Sequence, residues 1–397
     1  MSVGRQSHFA SFFATIILLA SLALMQIEAL SIAGNIGGLR NIAASFLLPA
    51  LVILILSANS GRRTGHWTAA VVLIFASWVG ARVVLDSGID VISLWLVLWF
   101  PLLFFVGYFS RGVSSEIAAA VTVFALLSSA AYLFVALGVG VRGPQAINAI
   151  FYPLLAFPFI FSCKRRILSV PSFALVTFAV IASEKRTALV GLVLALVVAS
   201  LVRLYTNRGI TAGPSGLRTA FITIPFATFA YWWLSSYFQL DIFQKIFRTV
   251  EDGGSGRQEI AADVIARIEK LPFHELMLGR GHNAVASDLG VSAHNDFLET
   301  TYDFGLFSTL ILGLFLAFCI IQLLSLAREA NSSAPGFAAA IVLFLVMATF
   351  SHIIFIPTYV GLISFYIGAA MNRPSLGAVS LRIPVPNSGQ SQGVQVD

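Results

Sequence analysis

Apolar runs of about twenty residues recur along most of this chain, and one long polar stretch, Gln239 to Asp303, interrupts them. A run of that length matches the hydrocarbon thickness of a bilayer. Inside it every backbone amide must be satisfied within the segment, so such runs read as membrane helices. The chain is correspondingly poor in charge, with 11% charged and 58% hydrophobic residues, against about 25% charged in soluble domains. A soluble globular domain is excluded, and the expected fold is an all-α polytopic membrane protein.

Spans are expected near 9–30, 41–58, 67–85, 89–109, 117–140, 147–163, 168–183, 187–205, 219–238, 304–326, 336–356 and 357–371. The safe range is 10 to 12, because Glu184-Lys185-Arg186 divides one pair and Pro357 another. The first run follows Arg5 as a signal peptide would, but it is long enough to span and reads as uncleaved. The resulting division is 1–238 for nine spans, 239–303 for a long polar loop, 304–371 for three spans and 372–397 for a disordered cytoplasmic tail.

Orientation follows from Lys and Arg in the short connections. With the N-terminus inside, the cytoplasmic side collects 13 basic residues against three acids, Glu116, Glu329 and Asp397. The other side keeps 24 − 13 = 11 basic and 18 − 3 = 15 acidic residues. The polar loop is therefore expected outside the cytoplasm. The net charge of +6 does not indicate nucleic acid, since the cations sit singly or in short clusters at the ends of apolar runs, without interleaved aromatic platforms. Cys163 and Cys319 lie in apolar runs without neighbouring ligands, so neither a disulfide nor a metal site is expected.

Some outer cations exceed what topology requires. Arg82 has Asp86 and Asp90 nearby as partners, and Arg142 follows the fifth span; a snorkelling side chain explains both. Arg186 differs, because the short turn Glu184-Lys185-Arg186-Thr187 sets a cation at the start of a helix whose own dipole also favours an anion. Within the long loop, Ile260, Val264, Ile265, Ile268 and Leu271 recur at helical spacing. Ser255 or Gly256 serves as cap and Pro272 as stop, which puts Arg257 in the first turn. A cation there is locally unfavourable, so an anionic ligand is one reason for it. Gly279-Arg280-Gly281 reads as a flexible turn. His294-Asn295 stands ten residues before the next span, with Glu299 close behind, and an imidazole of ordinary pKa about 6.5 accepts a proton at neutral pH. His274 and His282 read as structural, and His352 as a wall of a cavity.

Gly256-Arg257, Gly279-Arg280-Gly281, His294-Asn295 and the upstream Lys185-Arg186-Thr187 together resemble the O-antigen ligase and O-antigen polymerase superfamily of bacterial membrane glycosyltransferases, over roughly Ile181 to Leu310. Gly305 keeps its place in the ligase pattern, while Ser308 stands where that pattern has Gly, Thr or Tyr. The resemblance implies a multi-pass protein of the bacterial inner membrane with a periplasmic active site. Its donor would be an oligosaccharide on undecaprenyl pyrophosphate, and its acceptor a hydroxyl of a glycan or of a lipid A core. It implies no cofactor and no metal. Arg186 and Arg257 would hold the pyrophosphate, with Arg142 and Arg280 as secondary anion contacts. His294 would be the base and Asn295 its orienting partner. The alternative from another class is a secondary transporter or flippase of sugars or lipid-linked glycans. Against it, the long loop follows the ninth span instead of a midpoint between two halves.

Overall fold

A computed structural model describes residues 66–87, 91–110, 112–138, 147–206 and 256–371, together with parts of a helix within 15–30. Among these residues the structure is helical and contains no strand. The expected spans at 41–58 and 219–238, the tail 372–397 and Arg142 lie outside the described residues.

The N-terminal helices are α1 (His66–Ser87), α2 (Val91–Phe109) and α3 (Ser115–Gly138); α4 (Phe151–Leu155), α5 (Phe157–Ser162), α6 (Arg166–Ala182) and α7 (Arg186–Thr206) follow. Beyond residue 256 come α8 (Arg257–Ile268), α9 (Phe273–Leu278), α10 (Ala284–Leu289), α11 (Asp296–Arg328), α12 (Ala334–Phe350) and α13 (Pro357–Met371). Four of them contain stretches long and apolar enough to cross a bilayer, Trp67–Asp86, Ser115–Ala136, Arg186–Thr206 and Asp296–Arg328; the remaining apolar helices are shorter. The single span expected at 147–163 is instead two short helices joined at Ala156. Pro158 has no amide to return to Leu154, so the helical ladder cannot continue through this point.

Close helix contact follows from small residues. The α2–α13 pair meets at Gly107 and Gly368, where a Cβ would come within 2.0 Å of the Phe365 and Phe104 carbonyl oxygens respectively. Glycine at both points lets the two backbones touch, the device by which apolar helices associate when water supplies no driving force between them. α7 lies along α12, α3 along α6, and α11 along α1. Phe100, Phe104, Phe315 and Phe344 interlock at the centre, edge-on or tilted at 5.3 to 5.9 Å.

The described part of the polar segment, 256–303, packs against the start of α11. α8 buries Val264 against Val285, Ala293 and Tyr302, with Ile268 and Leu271 at the edge. Its apolar face therefore serves a small core shared between the loop and α11. Gly256 caps the helix at φ +76°, with open space around it.

Candidate active site

α11 begins eight residues before the apolar run expected at 304, because Asn295 caps it: its side-chain oxygen accepts from the Phe297 and Leu298 amides at 3.0 and 3.1 Å. This commits the Asn295 oxygen to the helix. His294 itself takes a left-handed conformation, φ +52°, on the residue before the cap. Strain of this kind in a non-glycine residue clusters at functional sites.

Further along, α11 breaks at Gly305, whose φ of +86° and ψ of 166° are not helical. The break lets the Gly279-Arg280-Gly281 turn dock on exposed backbone. The Arg280 amide donates to the Tyr302 carbonyl at 2.9 Å and the Gly281 amide to the Asp303 carbonyl at 2.8 Å. Gly279 and Gly305 lie so close that a Cβ on either would collide with the other's backbone nitrogen, at 2.5 and 2.6 Å. The turn expected to be flexible is thus a fitted joint. It is held from α1 as well, where Arg82 donates to the Gly279 carbonyl at 3.1 Å while pairing with Asp86 at 3.2 Å. Trp78 donates to the Phe304 carbonyl at 3.0 Å. The Asp86 partner suggested by the sequence is present, and the contact to Gly279 adds a docking role.

Arg280, expected as a secondary anion contact, is surrounded by acids. Its guanidinium is engaged by Asp288, by the Tyr302 hydroxyl at 2.8 Å and by Glu275 at 3.4 Å, and it lies 5.7 Å from the Tyr302 ring centre. Two carboxylates already neutralise it, and through them Arg280 cross-links the loop.

Three other cations converge. Arg257, at the head of α8, donates to the Phe350 carbonyl at the end of α12 and to the Thr187 hydroxyl at 3.4 Å, which brings it to the head of α7. Lys185 and Arg186 sit on that same helix head, with Lys185 5.7 Å from the Phe151 ring centre. Among the described residues none of the three lies within ion-pair distance of a carboxylate. Burial, and then the charge of Arg257, lowers the Lys185 pKa; burial and then Arg186 lower that of Arg257. A half-buried group of like charges without a counter-ion among the described residues has electrostatics that favour an anion, and the positive end of α7 adds to this.

His294 borders this group. Burial by surrounding protein, then the charges of Arg257 and His352, lower its pKa; Glu299 opposes them and Lys185 adds to them. The imidazole is consequently neutral at physiological pH, the form that accepts a proton.

A second cluster of titratable groups forms around His352. Asp296, fully buried, accepts from the Ile353 and Ile354 amides at 2.9 and 3.0 Å, and its other oxygen lies 3.0 Å from His352 Nδ1. Glu299 Oε2 lies 3.1 Å from the same nitrogen. Burial would lower the His352 pKa, but the two carboxylates outweigh it and push it up to about 10. The signal was present as Asp296, Glu299 and Asp303, acids at helical spacing on one face of an apolar helix, where unpaired charge is costly. Glu299, Asp303 and His352 line a cavity of about 420 Å³, completed by Ser93 and Leu96 of α2, by the His282-Asn283 turn and by Phe355.

Residues 171–313 match the sequence profile of the O-antigen ligase family, which supports the O-antigen ligase and polymerase superfamily. The match spans 143 of the 397 residues and includes Lys185, Arg186, Arg257, Gly279, Gly281, His294 and Gly305. No curated protein matches the chain at a significant level.

Proposed function

We propose that this chain, with its O-antigen ligase segment at residues 171–313, is a multi-pass glycosyltransferase of the bacterial inner membrane that works on the periplasmic side. It transfers a glycan from undecaprenyl pyrophosphate to a hydroxyl of an acceptor glycan or lipid A core. The observation that carries the proposal is the convergence of Arg257 with Lys185 and Arg186. These come from stretches about seventy residues apart and meet, among the described residues, without a carboxylate counter-ion, beside a neutral imidazole.

The chemistry follows from these parts. The acceptor hydroxyl gives its proton to His294 as its oxygen bonds to the anomeric carbon of the donor glycan. The bond from that carbon to the pyrophosphate oxygen breaks, and the lipid pyrophosphate leaves with the electron pair. Negative charge grows on the leaving group, where Arg186, Arg257 and Lys185 neutralise it. Guanidinium groups suit this task because they stay charged and grip phosphate oxygens in pairs. With three cations supplying the neutralisation, the reaction is expected to proceed without a metal ion. Asn295 contributes by fixing the start of α11, and with it the backbone of His294. The helix head and its dipole add to the pull on the leaving group.

Replacing His294 by Ala is expected to lower transfer by about 10²–10⁴-fold, the range for general base catalysis. Transfer to glycan in membrane vesicles, with protein level checked by immunoblot, measures this. Unchanged transfer at normal protein level refutes the assignment of His294.

A further inference from the structure

The cavity of about 420 Å³ beside the cationic site differs from it in charge and chemistry. Glu299 and Asp303, 3% and 2% exposed, put two carboxylates in its wall. With a single His352 ring opposite these acids, the wall lacks the surplus of cations that a pyrophosphate needs. A metal ion is poorly served too, because both Asp303 oxygens already accept backbone amides, from Asn283 at 2.8 Å and Val285 at 3.0 Å, and Glu299 is engaged by His352. Among the described residues no group of three His, Cys, Asp or Glu is arranged to hold a metal.

What remains is hydrogen-bonding capacity for a neutral polar ligand. One Glu299 oxygen, the buried Oε2, faces His352 Nδ1 at 3.1 Å, and the other meets no donor among the described residues. On the wall of a cavity, that second oxygen is an acceptor open to a ligand's hydroxyl. His352 has Nδ1 sealed against the carboxylates, so Nε2 is the ring atom left for a ligand, and as an imidazolium it donates. Asn283 adds an amide, and Phe355 an aromatic face. The volume lies within the range of about 300–1,000 Å³ usual for small-molecule sites. Glu299 stands in the first turns of α11, whose cap Asn295 directly follows His294, so the cavity wall and the proposed base share one helix end.

We propose that this cavity is the acceptor subsite, holding a neutral saccharide ring whose hydroxyls donate to Glu299 and accept from His352. The assignment rests on the transfer reaction proposed above, since it supplies the place from which an acceptor hydroxyl reaches His294.

The test uses the full chain in lipid nanodiscs. Saturation-transfer NMR reads binding of neutral trisaccharides ending in glucose, galactose, mannose or rhamnose, and calorimetry reads binding of inorganic pyrophosphate in parallel. At least one trisaccharide is expected to bind the wild type. Glu299→Gln is expected to weaken that binding at least tenfold and leave pyrophosphate unchanged, whereas Arg257→Ala is expected to do the reverse. Leu96→Trp fills the cavity without altering a charge and is expected to abolish saccharide binding, which covers the case in which Glu299→Gln fails to fold. Absence of trisaccharide binding to the wild type overturns the subsite, as does binding that survives either folded variant. If saccharide binding behaves as expected but pyrophosphate does not bind, the donor site fails and the acceptor subsite stands.

Discussion

Substituting Gly305 by Ala tests whether the joint between the loop and α11 is the mechanical basis of the site. At residue 305 a Cβ would lie 2.2 Å from the Met277 carbonyl oxygen and 2.6 Å from the Gly279 nitrogen, and no rotamer relieves contacts with backbone. The conformation, φ +86° and ψ 166°, belongs to the region occupied almost only by glycine, and holding another residue there costs about 1–3 kcal/mol. If the turn recoils, the Arg280 and Gly281 amides lose their bonds to Tyr302 and Asp303, at about 0.5–1.5 kcal/mol each. The sum is about 2–6 kcal/mol of local docking energy, because the strain and the two bonds act on the same joint. Hydrogen exchange followed by mass spectrometry should show the Arg280 and Gly281 amides opening at least about 30-fold more often, the factor equivalent to about 2 kcal/mol. Gly313, on the same helix, is the control: nothing lies within 4 Å of its Cβ position. Gly313→Ala is expected to leave exchange at the turn unchanged and to favour the helix by up to about 1 kcal/mol. Exchange within threefold of wild type in Gly305→Ala, or an equal effect from Gly313→Ala, would refute the reasoning.

Other expectations follow from the same geometry. Replacing Lys185 by Met removes a cation that lowers the His294 pKa, so that pKa should rise and the acid limb of the transfer rate should move to higher pH; a limb that stays in place or moves down contradicts the electrostatic coupling. Arg280→Ala should loosen the loop, seen as faster trypsin cleavage within 257–293, by about 1 kcal/mol once solvent screening is allowed for, while the donor KM stays within twofold; a tenfold rise would restore Arg280 to the anion site. Arg257→Lys keeps the charge but loses the paired grip, and should raise the donor KM about tenfold or more. Gly368→Ala, where a Cβ would lie 2.0 Å from the Phe104 carbonyl oxygen, should force apart α2 and α13 and lower the temperature at which the detergent-solubilised protein aggregates.

The membrane class, most helix positions and the identity of the Arg257, His294 and Gly305 motifs were legible in the amino-acid order alone. Hydropathy over twenty residues and short glycine-punctuated motifs are local properties, and a helix in lipid has little choice of backbone conformation. Two local readings failed for local reasons as well: Pro158 divides an apparent span, and Asn295 starts α11 inside what reads as polar loop. The partnerships were decided by tertiary structure. Arg257 and Arg280 look alike in sequence, each following a glycine. Folding gives one two carboxylates and a tyrosine, and sets the other beside Thr187 among like charges. Whether a guanidinium is neutralised depends on which distant side chains arrive next to it, and spacing along the chain carries no record of that. The same holds for His352, far from Asp296 in sequence yet 3.0 Å from it in space. Three acids on one face of α11 announced that some partner was needed; only the return of the chain through α12 supplied it.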